Sequence, residues 1–186
     1  MFSPVCAAVI VPIAPGQSYV SGWDQTDDNG QQVPDGAYSL QVTYQDSSFA
    51  NVFTCCPTLN ICSSTASATV RNGSGTNPLT LSSVALPVLG GTWRVDLDCA
   101  GHAPGIAGLF VLDMPSTGPV IPFGELLVTG TRLLRIIQPH SGALTSFSAV
   151  VPNDIALCGL QGYAQGVCLG APGGQVSNAL DLTLGL

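Results

Sequence analysis

Lysine is absent from the 186 residues, and the four arginines, Arg71, Arg94, Arg132 and Arg135, stand against eleven acidic residues for a net charge of -7. A chain so poor in cations has no basic surface with which to neutralise phosphates or anionic head groups, so nucleic acid is not an expected partner. Charged residues of both signs make up only 8% of the sequence, and Glu125 is its one glutamate. No apolar run approaches the roughly 20 residues that a spanning helix needs, so no membrane span is expected. Met1-Phe2-Ser3-Pro4 lacks the basic and apolar regions of a secretory signal. Residue 1 is therefore expected to be the start of a mature part of a larger precursor, or a truncation point. Helical periodicity is nearly missing as well.

The polarity that remains comes from Ser, Thr, Asn, Gln and Gly. With 46% hydrophobic residues, 22 Gly and 14 Pro, the composition suits short strands and turns. The clearest example is Tyr19 to Tyr44. Tyr38, Leu40, Val42 and Tyr44 alternate with polar residues at the period of a strand with one buried face. Val20 and Trp23 lie on an incoming arm, and the stretch from Asp24 to Gly36 is a turn-rich loop, so the whole reads as a β-hairpin. Residues 1–62 supply about four strands in this reading, roughly three short of a sandwich. The apolar face of Trp23, Tyr38, Leu40 and Tyr44 then needs cover, from residue 84 onward or from a strand of another chain.

Seven cysteines, Cys6, Cys55, Cys56, Cys62, Cys99, Cys158 and Cys168, point to an oxidising compartment. Cys158 and Cys168 flank a strand-like run and are the first expected disulfide. Cys62 with Cys55 or Cys56 is the next, with Cys6 taking the other vicinal cysteine. Structural zinc is disfavoured because no second ligand cluster follows.

From Ser63 to Thr80 the chain is dominated by Ser, Thr, Gly and Asn and reads as a linker, with Asn72-Gly73-Ser74 formally a glycosylation sequon. Beyond it, short strand candidates recur between turn signals: Thr92–Asp98, Ile106–Asp113, Leu126–Thr129, Arg132–Gln138, Ala143–Val151, Leu160–Val167 and Leu180–Leu184. Leu133 to Ile137 is apolar except at Arg135, which predicts a strand buried on most of both faces. The fold class expected is all-β, with two β-sandwich-like units and little or no helix. The N-terminal unit, 1–62, is incomplete; 63–80 is the linker and 81–186 the C-terminal sandwich.

Catalytic chemistry finds few carriers. No G-x-S-x-G elbow occurs, His102 and His140 lie in turn contexts that suit surface loops, and Asp96 with Asp98 reads as a solvated strand face. Trp23 and Trp93 could stack on sugars, although a lone Trp on a short strand is more often core. Asp24, Thr26 and Asp28 occupy positions 1, 3 and 5 of a calcium loop with Asp35 at the twelfth, so Asp24, Asp28 and Asp35 are the candidate calcium ligands. Asn29 stands where the turn glycine belongs, and the competing reading is a loop held by Asx turns. No other cofactor is expected.

Trp23-Asp24-Gln25, Asp27-Asp28-Asn29-Gly30 and Val33-Pro34-Asp35-Gly36-Ala37-Tyr38 resemble a pattern shared by the BsuPI-type proteinase-inhibitor domain and the immunoglobulin-like domain of flagellar hook-capping proteins. The resemblance implies a β-sandwich, here without the early strands of those families, and carries no inhibitory residue over. Residues 84–186, through Leu86-Pro87-Val88-Leu89-Gly90-Gly91-Thr92, Val151-Pro152-Asn153-Asp154, Leu160-Gln161-Gly162-Tyr163-Ala164-Gln165 and Val176-Ser177-Asn178-Ala179-Leu180, resemble a C-terminal domain of large secreted bacterial proteins. That resemblance implies an extracellular, appended, non-catalytic role. The function expected is thus a secreted or cell-surface structural module acting through protein–protein association, including self-association by strand addition. The alternatives are a carbohydrate- or proteinase-binding module and, behind it, a hydrolase.

Overall fold

A computed structural model describes residues 25–27, 29–39, 42–45, 51–54 and 58–186. The chain divides at Asp35 into two compact units, Met1–Asp35 and Gly36–Leu186. The boundary is not the 63–80 stretch. Among the described residues the only helix is a three-residue 3-10 turn at Ile155–Leu157, capped by the Asp154 side chain on Ala156 N–H. The chain is all-β, as its composition predicts.

In the first unit the acidic loop is a closed turn. Thr26 bridges Gln32, Val33 N–H donates to Gln25 O at 2.9 Å, and Asp27 N–H donates to Gln31 O at 2.8 Å. The incoming arm, with Val20 and Trp23, lies outside the described residues.

The second unit opens with four short strands, β1 (Gly36–Ser39), β2 (Val42–Gln45), β3 (Asn51–Thr54) and β4 (Thr58–Ile61). β1 pairs with β4 and β2 with β3, both antiparallel, so Tyr38 lies opposite Leu59. The hairpin built on the Tyr38 stretch therefore closes downstream, against residues 51–61. Tyr38 is half-buried.

Residues 67–186 form two facing sheets. The larger has the order β11 (Val128–His140), β8 (Gly105–Pro115), β13 (Gln161–Gly170), β14 (Gly173–Thr183), β5 (Ser67–Arg71). The smaller has the order β12 (Leu144–Val150), β7 (Thr92–Asp98), β6 (Leu81–Ala85). A two-strand ribbon, β9 (Val120–Ile121) and β10 (Gly124–Glu125), sits in the β8–β11 connection. Alternate residues of each sheet turn inward, as pleating requires. Leu81, Trp93, Val95, Leu97 and Phe147 come from the small sheet; Leu109, Val111, Ala164, Leu180 and Leu182 come from the large one.

Four sequence expectations are corrected. The Ser63–Thr80 stretch is not a linker, because Ser67–Arg71 pairs with β14 as an edge strand. Cys158 and Cys168 are not joined to each other: the disulfides are Cys62–Cys158 and Cys99–Cys168. Cys168 points inward from β13 toward the end of β7, so its bridge ties one sheet to the other, while Cys158 caps the 3-10 turn and reaches the chain after β4. Cys62 is thus spoken for by Cys158 and by neither vicinal cysteine; Cys6, Cys55 and Cys56 lie outside the described residues. The two strands expected at 126–129 and 132–138 are one, bent by register shifts between Thr129 and Leu134, where Gly130 takes a φ of 92°. Finally, β11 is an edge strand among the described residues, and Leu133 and Ile137 are half exposed while Leu134 and Ile136 pack on the core.

Candidate functional site

The β8–β11 connection folds over the outer face of β13 and β14, and a polar lock holds it there. Asn77 Nδ2 donates to Glu125 O (2.7 Å) and Ser177 O (2.9 Å), and its Oδ1 accepts from Glu125 N–H (2.8 Å). Gln165 Nε2 donates to the same two carbonyls at 2.9 Å, and its Oε1 accepts from Leu127 N–H. The Glu125 carboxylate, buried, accepts from the backbone N–H (3.0 Å) and hydroxyl (2.7 Å) of Ser74. Buried polar groups so fully paired act as structural fixings. The sequon belongs to the same lock, with Asn72 Nδ2 donating to Asn77 O at 2.8 Å. Arg71 closes the far side through Asp181 and Leu127 O, with its guanidinium 5.8 Å from the Tyr163 ring centre.

Among the described residues the hydrogen-bond partners of the two imidazoles are backbone groups and the Gln175 side chain. His140, expected in a surface loop, is buried at the end of β11: Gly142 N–H donates to Nδ1, so the ring hydrogen sits on Nε2 and donates to Leu169 O at 3.1 Å. His102 lies beside Gly173 O (3.1 Å) and the Gln175 side chain (3.4 Å), at an open depression shared with Pro122, Phe123 and Pro172. Asp96 accepts from Ser146 Oγ at 2.6 Å on the solvent side of the small sheet, and Asp98 accepts from Ala100 N–H. Trp93 is 4% exposed and belongs to the core, out of reach of a sugar.

In the acidic turn, Asp27 is the organising carboxylate. Its Oδ1 accepts from Asn29 and Gln31 N–H, each at 2.9 Å, as in an Asx turn. These backbone donors, Gln31 foremost, hold its pKa below the usual carboxylate value. Of the calcium candidates, Asp24 and Asp28 lie outside the described residues and Asp35 is exposed.

The feature that sequence reading missed is the outer face of β11, β8 and β13. Directly paired residues share a face, so Pro139, Ile106 and Leu169 form one row; Ile137, Gly108 and Val167 form the next; Arg135, Phe110 and Gln165 form a third. Ile106, Ile137, Leu169 and Phe123 are each between 41% and 51% exposed. A solvated face of an antiparallel sheet is ordinarily polar, and contiguous apolar exposure marks a contact surface. The available signal was Leu133–Ile137, apolar at both parities. Of the residues expected to form an association face, Tyr38 is half-buried in β1; Trp23, Leu40 and the Tyr44 side chain lie outside what is described. The chain matches no protein-family model and no curated protein.

Proposed function

We propose that this chain is a non-catalytic structural module, secreted or displayed at a cell surface, that works by protein–protein association through the outer face of the five-stranded sheet. The observation that carries this reading is the apolar patch of Ile106, Ile137, Leu169 and Phe123 on a sheet face that the β8–β11 connection covers only on its β13–β14 side. Two disulfides support an oxidising compartment. Docking on the face is favoured over strand addition at β11, because the bulged start of that strand, its exposed arginines and Pro139 are features that discourage a new strand at an edge.

Sedimentation velocity over a wide concentration range tests the reading, with Ile137→Asp compared against Ile136→Ala. Association that Ile137→Asp weakens without loss of stability supports the face. Ile136→Ala, by contrast, is expected to cost about 2 to 4 kcal/mol of folding stability, since its side chain packs against the core. A wild-type chain that stays monomeric up to millimolar concentration refutes the self-association this reading expects.

A further inference from the structure

The sequence holds two Asn-Gly steps, Asn29-Gly30 and Asn72-Gly73, and the fold treats them in opposite ways. We propose that Asn29 is a site of spontaneous deamidation in the native protein, and that the fold protects Asn72 from the same reaction. The Gly30 backbone nitrogen bonds to Cγ of Asn29, the Cγ–Nδ2 bond breaks, and ammonia leaves with the hydrogen that the backbone nitrogen gives up. Water then opens the five-membered imide at either carbonyl, leaving aspartate or isoaspartate and a released proton. Water is the only co-reactant, and nothing is oxidised or reduced. Glycine favours the step because no side chain shields its nitrogen.

The first site is open. Asn29 and Gly30 are exposed, and a Cβ added to Gly30 would meet no heavy atom within 4 Å beyond its chain neighbours. The Asn29 amide nitrogen reaches Asp27 Oδ2 only at 3.5 Å, the far limit of a hydrogen bond. The bond that must open is Gly30 N–H to Asp27 O, 2.9 Å, on an exposed turn, where backbone bonds open at little cost. At Asn72 these freedoms are removed. Its Nδ2, the leaving group, donates to Asn77 O at 2.8 Å, and its Oδ1 is buried. Gly73 is pressed against the end of the β8–β11 connection: a Cβ there would lie 2.6 Å from Glu125 Oε1 and from Leu127 Cδ2. Ser74 is bound to the Glu125 carboxylate through both its N–H and its hydroxyl. Turning the 72–73 peptide into a ring therefore requires the polar lock to open first.

The product alters the turn that Asp27 organises. A further carboxylate joins a chain already at net -7. Isoaspartate also lengthens the main chain by one methylene between Asn29 N–H and Gln31 N–H, the two donors that converge on Asp27 Oδ1.

Incubation of the oxidised full chain in warm, mildly alkaline buffer, followed by peptide mass mapping, tests this. Trypsin separates the sites by cutting after Arg71, which puts Asn29 in 1–71 and Asn72 at the head of 72–94. Each event adds about 1 Da. In the native chain the gain is expected at Asn29 at least about tenfold faster than at Asn72, roughly the factor that one buried hydrogen bond supplies. In guanidinium with reductant the two rates are expected to come within about threefold, because the dipeptide is the same and the fold no longer distinguishes them. Asn29→Gln, whose ring closure would be six-membered, is expected to lose the gain at position 29. Equal rates at the two sites in the native chain, or an Asn29 that stays intact while the unfolded chain converts, overturns the exposed site. An Asn72 that stays slow in the unfolded chain overturns its protection by the fold.

Discussion

Removing the Cys99–Cys168 bridge should destabilise the chain more than removing Cys62–Cys158, although loop entropy alone ranks them the other way. For separations of 69 and 96 residues the chain-entropy relation gives about 4.4 and about 4.7 kcal/mol respectively. The difference is too small to decide the order. Burial decides it: Cys99 is 0% and Cys168 4% exposed, between the two sheets, whereas Cys62 is only partly buried. Replacing Cys99 and Cys168 by Ala leaves a void in the sheet interface that adds about 1 kcal/mol per side chain. Losses of about 6 kcal/mol for that pair and about 5 for Cys62→Ala with Cys158→Ala are therefore expected. Guanidinium unfolding without reductant, followed through buried Trp93, measures both. The pairing can be checked independently, because the four arginines give trypsin few cuts. Unreduced digestion should yield one species in which the peptide 136–186 holds both 1–71 and 95–132. A 136–186 peptide bridged only within itself, or a Cys99/Cys168 variant less destabilised than the other, would refute the reasoning.

Gly118→Ala is expected to cost more than about 2 kcal/mol, because its φ is +85° and a Cβ there would collide with the Glu125 carboxylate; chemical denaturation reads the loss. Asn178→Ala should cost about 2 to 4 kcal/mol by the same measurement, since the fully buried amide pairs with both Leu81 N–H (2.9 Å) and Leu81 O (2.9 Å) and its loss strands them. Asp27 should titrate below 3.8 by NMR. Because its folded pKa is lowered, the turn's extra stability is present above 3.8 and lost only as pH falls through the lower folded value, and Asp27→Asn should remove that pH dependence.

Much of the fold was legible where alternation was clean. Thr92–Asp98 is a strand to the residue, with Trp93, Val95 and Leu97 inward as the pattern requires. β5 was hidden because Ser67–Arg71 is partly exposed throughout: it is held by pairing with β14 and by the Arg71–Asp181 ion pair more than by apolar burial. β14 defeated periodicity for the opposite reason. Val176 to Leu180 are all buried, polar Ser177 and Asn178 included, because the β8–β11 connection lies on the outer side and Val176 N–H donates to Phe123 O. Disulfide pairing depended on where the fold brings each cysteine, Cys99 and Cys168 between the two sheets and Cys62 beside the 3-10 turn that ends at Cys158, and nearness in sequence was a poor guide to that.

The same reasoning explains why the candidate surface was misread. An apolar residue at both parities of a strand usually means cover on two sides, and for Leu133–Ile137 the first side is found: Leu134 and Ile136 pack on the core. The second side is open, with Ile137 at 51% exposure opposite Gly108, where Phe110 and Val167 close over the missing side chain. Strand β11 therefore carries the composition of an interior strand at the edge of a sheet. A sequence pattern that asks for cover on a face that the described residues leave bare supports association, and it directs the search to the outer side of β11, β8 and β13 in preference to a conventional pocket.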